Sequence, residues 1–227
     1  SNNGRDLIEM VRDKYPRISD PEFVIKNRRY YFKPSVTWTY ISSSSFSARY
    51  CPSGFIFDVA GSSIFPDMDE ILIYTGLMCS ALSSFFLKAI NPTLNFQVEN
   101  IASIPVIKKI RNLCIKPISE AIKLSILDWD SYETSWDFSS LPLLDTSYRG
   151  DTLAFTYANL RSHWNEMTLE MQRLEEENNR IFIEAYGLED ELTPEVPLKE
   201  ITLTCNPYYR YGDNKSESEL EALLLAD

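Results

Sequence analysis

The chain has 227 residues, a formal net charge of −11, one histidine, four cysteines and 44% hydrophobic residues. Such a length and apolar content suit one large domain or two small ones around a buried core, and they exclude a chain disordered throughout. Cys51, Cys79, Cys114 and Cys205 form no Cys-x-x-Cys pair and have no histidine near them in sequence, so neither a zinc site nor a compact disulfide framework is expected and the thiols read as reduced.

The opening residues, SNNGRDLIEMVRDKYP, contain no apolar stretch of signal-peptide length, and without an initiator methionine they read as the start of a piece excised from a longer protein. Residues 6–15 have the spacing of a short amphipathic helix. From 23 to 64 the chain turns to β-branched and aromatic runs (FVI, YYF, VTWTYI, FIFDVA), cut by Pro34, the serines at 42–45, Cys51-Pro52-Ser53-Gly54 and Gly61, which predicts several short strands. No acidic residue occurs between Phe23 and Phe57, whereas Lys26, Arg28, Arg29, Lys33 and Arg49 stand among Tyr30, Tyr31, Phe32, Trp38, Tyr40, Phe46, Tyr50 and Phe55. Basic residues interleaved with aromatics suit a surface that holds phosphates and packs on sugars and bases. They suit equally the solvated face of a β-rich segment whose aromatics are core.

Residues 71–90, ILIYTGLMCSALSSFFLKAI, have the length of a bilayer-spanning helix and a single charge, Lys88. Thr75, Gly76, Ser80, Ser83 and Ser84, with no polybasic flank, favour a buried helix of a soluble domain instead. Asp67 and Asp69 are positioned to cap it, and Asn91-Pro92 to stop it. Residues 96–106, FQVENIASIPV, read as a strand and a short turn, and 107–127 as a second helix interrupted near Pro117. The order β, helix, short strand, helix predicts an α+β domain ending near residue 127.

Residues 128–144, DWDSYETSWDFSSLPLL, have no regular period and read as an ordered linker anchored by Trp129, Trp136 and Phe138. Apolar residues from Leu153 to Ala185 recur at helical spacing, with Gly187 as a stop. A helix of about 35 residues extends about 50 Å, longer than one small domain covers, so a helical hairpin or coiled-coil arm is expected, with residues 175–177 on its wet face. The remainder carries Pro194, Pro197 and Pro207 and closes on the acidic SESELEALLLAD, the start of a further helix. Residues 1–126 hold 15 Lys+Arg against 11 Asp+Glu, and residues 127–227 hold 7 against 22, so the two halves are fitted to different partners.

Catalytic patterns are missing. There is no GxGxxG, P-loop or HExxH motif, and the single His163 reads as a packed or surface helix residue. Asn206-Pro207-Tyr208-Tyr209 approaches the Asn-Pro-Pro-aromatic tetrapeptide of amino-methyltransferases, but its third residue is Tyr and no Gly-rich cofactor loop precedes it, so it reads as a loop. Asn91-Pro92-Thr93-Leu94 reads as a helix stop. No catalytic, cofactor-binding or metal-ligating residue is expected in this chain.

Four blocks carry a family resemblance: TWTYISSSSFSARYCPSGFIFDVAGSSIF (37–65), the 71–90 segment, NPTLNFQVENIASIPV (91–106) and DWDSYETSWDF (128–138). Together, within a likeness that covers about residues 20–205, they resemble the C-terminal part of PglX-type adenine-specific DNA methyltransferases of BREX phage-defence systems. More distantly they resemble the target-recognition domains of type I specificity subunits and TaqI-like methyltransferases. The resemblance implies transfer of a methyl group from S-adenosyl-L-methionine to the exocyclic amine of adenine by a catalytic domain N-terminal to this region. The cofactor would belong to the parent enzyme, with none held by this chain.

What carries over is the recognition role, for a duplex must be held and read while the target base is flipped out. The DNA-binding residues implied are Lys26, Arg28, Arg29, Lys33 and Arg49 for phosphate or guanine, Asn95 and Gln97 for adenine edges, and Ser43, Ser44 and Ser45 for either. Family members often have Gly-Lys where Ser44-Ser45 stand, so one phosphate-contacting lysine is missing. The fold class implied is α+β, a β-rich target-recognition domain with packed helices followed by a long spacer-like helix or helical hairpin and an extended C-terminal tail. Its divisions are an entry helix and linker at 1–20, the recognition-like domain at 21–127, an ordered linker at 128–150, the helical spacer at 151–188 and the extended acidic tail with a truncated helix at 189–227. Partners implied are double-stranded DNA, the catalytic domain of the same parent chain and other defence-system proteins met by the long helix, in the cytoplasm and without a membrane. The competing reading is a protein–protein docking module of a defence complex whose DNA contact is incidental.

Overall fold

The computed structural model describes residues 4–42 and 46–226. Helix α1 (Arg5–Lys14) buries only Val11. The two runs that follow are not strands. Asp20 accepts from the Glu22 backbone N–H and Pro21 fixes the first turn, which makes a 3-10 turn of Pro21–Phe23; Asn27, in the left-handed region at φ 59°, starts a second over Arg28–Tyr30. Strands β1 (Ser35–Thr39), β2 (Ala48–Cys51) and β3 (Gly61–Ile64) then form one antiparallel sheet in the order β2-β1-β3, with Val36 opposite Tyr50 on one side and opposite Ile64 on the other. The FIFDVA run remains a loop. Asp58 takes the backbone N–H groups of Ala60 and Gly61 at 2.9 and 3.0 Å, a turn that delays β3 until Gly61.

The 71–90 segment is two helices, α2 (Ile71–Met78) and α3 (Ala81–Ile90), bent by 68°. Ser80 is extended at the break, and the hydroxyls of Ser80 and Ser83 both donate to the Leu77 carbonyl at 2.6 Å, satisfying the end of α2 locally. No single helix among the described residues is long and apolar enough to cross a membrane. Asp67 and Asp69 do not cap α2. Its first turn is instead tied to a later segment by the ion pairs Glu70–Lys108 (2.6 Å) and Asp69–Arg111 (3.0 Å).

Residues 96–106 give no strand. An isolated bridge joins Ile41 and Asn95, and α4 (Val98–Ala102) begins at once. Helix α5 (Arg111–Trp129) runs unbroken through Pro117, whose ring is buried on the core side with Cys114 and Ile118. Helix α6 (Leu153–Tyr186) is 34 residues long, about 51 Å at 1.5 Å per residue; Thr152 caps it by accepting from the Phe155 N–H, and Gly187 ends it in the left-handed conformation at φ 65°. The C-terminal segment is not wholly extended, for it folds into α7 (Pro207–Tyr211) and α8 (Glu217–Ala226). The whole is a mixed α+β fold with a small sheet and several helices.

Two apolar clusters hold it. The larger joins Val36 and Trp38 of β1 to Leu77 of α2, Leu82 and Leu87 of α3, Cys114 and Ile118 of α5 and Phe182 of α6. The second packs Met167 and Met171 of α6 with Val196, Ile201, Leu203 and Cys205 of the C-terminal segment. Helix α6 is therefore packed along α5 and under the C-terminal segment rather than projecting as a free arm. Residues 175–177 are half-buried, not wet; Glu176 accepts from the Val196 N–H at 3.2 Å. Gly76 is the close-approach point, because a Cβ there would lie 2.1 Å from Ile118 Cδ1 and 2.7 Å from Asn178 Oδ1.

Candidate nucleic-acid interface

Strand alternation divides the sheet into two unlike faces. Val36 and Trp38 point into the core, where the indole N–H donates to the Phe96 carbonyl at 2.9 Å, with Ala48, Tyr50 and Ile64 beside them. Thr37, Thr39 and Ile41 along β1 and its continuation, Arg49 on β2 and Ser63 on β3 point the other way. On that face the Arg49 guanidinium donates to Thr39 Oγ1 at 2.9 Å, and the Thr37 hydroxyl donates to the Ser62 carbonyl at 3.0 Å. Cys51 stands there too, next to Ser35 and Arg49, its thiol pushed up by burial.

Beyond β1, the 94–96 backbone continues the pairing on the β3 side, where Tyr40 gives its N–H to Ala60 O at 3.1 Å. Ser42 N–H donates to Leu94 O at 3.0 Å and Phe96 N–H to Tyr40 O at 2.8 Å, so Ile41 and Asn95 form a non-hydrogen-bonded antiparallel pair with side chains adjacent on the outer face. Gln97, two residues on, is exposed, and its backbone N–H donates to Asn100 Oδ1 at 3.2 Å at the start of α4. The Asn95 Oδ1 atom is enclosed without a hydrogen-bond partner, which leaves Gln97 as the accessible amide at this edge.

At the other end of β1, Arg29 and Lys33 share one aromatic platform, their cationic groups 4.9 and 5.7 Å from the Tyr30 ring centroid. Tyr30 stacks on Phe65 at 4.8 Å, and Phe57 closes on both Phe65 (4.9 Å) and Tyr31 (5.7 Å). Phe32 adopts φ 65°, a left-handed conformation unusual for a bulky residue, held by Phe32 N–H to Phe55 O (2.8 Å) and Gly54 N–H to Phe32 O (3.1 Å). Phe32 and Phe55 each remain 55% exposed beside Lys33.

Along this hydroxyl-lined sheet face Arg49 reaches Thr39 from the β2 side, Asn95 and Gln97 lie past Thr39 on the β3 side, and Arg29 and Lys33 stand at the opposite end. Arg28 is turned toward Glu22, 4.0 Å away, and Lys26 is exposed just after buried Ile25. Ser43, Ser44 and Ser45 lie outside the described residues. Of the aromatics, Trp38 and Phe46 are core and Tyr50 packs against it, while Phe32 and Phe55 stay at the surface. Thr39 and Ile41 belong to the face and are missing from the residues the resemblance implies. Their signal lay in the alternation of VTWTYI, which puts Thr37, Thr39 and Ile41 opposite Val36, Trp38 and Tyr40.

The rejected catalytic candidates have structural duties. Asn206 is fully buried, its amide donating to Leu198 O (2.7 Å) and Ile201 O (2.8 Å) while its oxygen accepts from the Tyr208 N–H, so its burial leaves no surface for a target amine to reach. His163 packs against the Tyr148 ring at 5.0 Å. The larger hollow, about 350 Å³ between β3, α2 and α4, has Tyr74 as the one titratable group in its lining. Among the described residues no group of three or more His, Cys, Asp or Glu is arranged to hold a metal ion.

No family model matches the chain. It is 32% identical over 206 residues, 89% of its length, to the adenine-specific methyltransferase PglX of Lacticaseibacillus casei (strain Zhang), and 35% identical over 195 residues, 85% of its length, to the adenine-specific methyltransferase BrxX of Escherichia coli O9:H4 (strain HS). The chain is homologous to these enzymes, and it spans 17% and 16% of their respective lengths.

Proposed function

We propose that this homologue of a segment of PglX and BrxX is the DNA target-recognition part of an adenine-specific DNA methyltransferase of a BREX-type phage-defence system. It holds and reads duplex DNA while a catalytic domain elsewhere in the parent chain uses S-adenosyl-L-methionine to methylate a flipped adenine. In this reading residues 21–127 are the recognition unit, the later helices set its position, and the setting is the cytoplasm. The observation that carries it is the outer sheet face, where Arg49 lies among hydroxyls and Arg29 and Lys33 flank an aromatic platform, within a stretch free of acidic residues from Phe23 to Phe57. Hydroxyls, amides and cations are the donors that phosphate oxygens and base edges accept.

Salt dependence tests it. With Arg28 facing Glu22, Lys26, Arg29, Lys33 and Arg49 are the cations available, so log K against log salt should have a slope of about −2 to −4 at roughly −0.9 per neutralised phosphate. Replacing Arg29 and Lys33 together by Ala should weaken duplex binding and flatten the slope by up to about 2. Arg173, already held by Glu170 and Glu177 at 2.7 Å, is the control expected to change nothing. Loss of DNA affinity in an Arg173→Ala variant, with the Arg29/Lys33 variant unaffected, would assign binding to the other half of the chain. A second reading, docking of other defence proteins, is favoured by Leu153 (71% exposed) and Phe155 (59%) at the start of α6 and by Trp136 in the preceding segment, which is fully exposed and so does not anchor it as expected.

A further inference from the structure

The two ends of the outer sheet face differ in chemistry. The Tyr30 end offers cations on an aromatic platform, which suits phosphates and carries no sequence information. At the far end Ile41 is 68% exposed, directly paired with Asn95 and two residues along β1's outer face from Thr39, which holds Arg49; Gln97 follows Asn95 on the same segment. Ile41 is not part of the core, which is closed on the opposite side by Trp38 and Phe96, and exposed Leu94 (48%) and Val98 (50%) follow it on the 94–98 segment. The acids near this end are Asp58, whose carboxylate is occupied by the Ala60 and Gly61 N–H groups, and Glu99 in the first turn of α4.

We propose that this end reads a thymine·adenine pair in the major groove, Ile41 covering the thymine methyl and Gln97 pairing with the adenine edge. The inference rests on the DNA-holding reading and adds to it the kind of base pair read. Thymine is the one base that presents a methyl group in the major groove, and adenine presents an N7 acceptor beside an N6 donor, the complement of a Gln amide. Gln97 Oε1 has two lone pairs, so it can serve the helix cap with Asn100 and a base together. The five residues of β1 cover about 13 Å at about 3.3 Å per residue, close to the major-groove width of about 12 Å, with the Tyr30 platform beyond its start to grip a phosphate. The pair read stays stacked in the duplex and is distinct from the flipped adenine.

The experiment uses the full-length protein that carries this sequence. Duplexes are selected for binding from a random library, and each thymine of the enriched motif is then replaced in turn by uracil, which lacks only the methyl, and each adenine by 7-deazaadenine, which lacks only N7. At one position uracil should weaken wild-type binding about fourfold, the effect of one methyl group, and should have no effect on an Ile41→Ser variant. At its partner 7-deazaadenine, which removes one of the two hydrogen bonds, should weaken wild-type binding about two- to 13-fold, and have no effect on Gln97→Ala. Both side chains are exposed, so neither change empties the core, and an unchanged circular dichroism melt verifies this. If the protein selects a motif but no thymine or adenine replacement alters affinity, or the variants respond as wild type does, the base-pair assignment is overturned while DNA binding stands. If no duplex is retained above background, both fall.

Discussion

Glu175 offers a test of the fold that is independent of any ligand. It lies on α6, where burial first and the Glu200 carboxylate second push its carboxyl up from the ordinary 4.5 to about 7. The folded state therefore holds a proton more tightly than the unfolded chain does. The sign follows: the penalty is absent below about pH 4.5, grows as pH rises through the interval to about 7, and is complete above it. At about 1.4 kcal/mol per tenfold, that interval corresponds to ~3 kcal/mol, of which ~1 is set aside because a Gln amide at the same place still needs partners. Glu175→Gln should thus stabilise the protein by about 2 kcal/mol at pH 8, a rise in Tm of about 4–8 °C for a chain of this size, and have little effect at pH 4.5. Thermal melts of both proteins from pH 4.5 to 8 measure it, and the difference between them isolates this one group from the other titrations. A difference that is flat in pH, or a variant less stable at pH 8 than wild type, would refute the reasoning.

Two further outcomes follow from buried contacts. Asp128, 5% exposed, accepts the Thr204 N–H at 2.6 Å and the Cys205 N–H at 2.9 Å, which ties the end of α5 to the C-terminal segment; Asp128→Ala should cost about 3–5 kcal/mol in denaturant titrations, and hydrogen exchange should show the loss around residues 201–206 first. Gly76→Ala places a methyl group against Ile118 and Asn178 and should cost about 1–3 kcal/mol, whereas a concurrent Ile118→Val, which shortens the side chain at the clash, should recover part of it.

The long helix was legible because its signals are local: Thr152 at the start, a 3.6-residue apolar period, and Gly187 at the end. So were the alternation of 36–41 and the basic, acid-free stretch around it. What could not be read from neighbours is what depends on distant ones. The bend between α2 and α3 looks like a continuous apolar run in sequence, because the groups that make it tolerable come from about a hundred residues later: Asn178 donates to Gly76 O at 2.9 Å and Asn179 accepts from the Ala81 N–H at 2.9 Å. Asp67 and Asp69 have the composition of a helix cap, yet Arg111 draws Asp69 into an ion pair at 3.0 Å across 42 positions. The FVI and YYF runs have strand composition, but a capped proline turn and a left-handed Asn27 decide their backbone first. The site residues were legible as types and not as a face, since Asn95 is set beside the end of β1 by a bridge to Ile41, 54 positions earlier.

That face is held in place from behind by the same distant contacts. Asn179 spans two segments, its oxygen on the first N–H of α3 and its amide on the Pro194 carbonyl at 3.1 Å, so α6 fixes the bend and the C-terminal segment with one side chain. At the bend, the Cys79 thiol donates to the Ala48 carbonyl at 3.3 Å, and Ala48 is the residue before Arg49 on β2. The position of the exposed arginine is thus set through β2 by the bend, and the bend by α6. A long helix packed in this way does more than separate two parts of a protein. The buried polar pair Asn178–Asn179 joins α6 to the bend, and the bend touches the strand that carries Arg49.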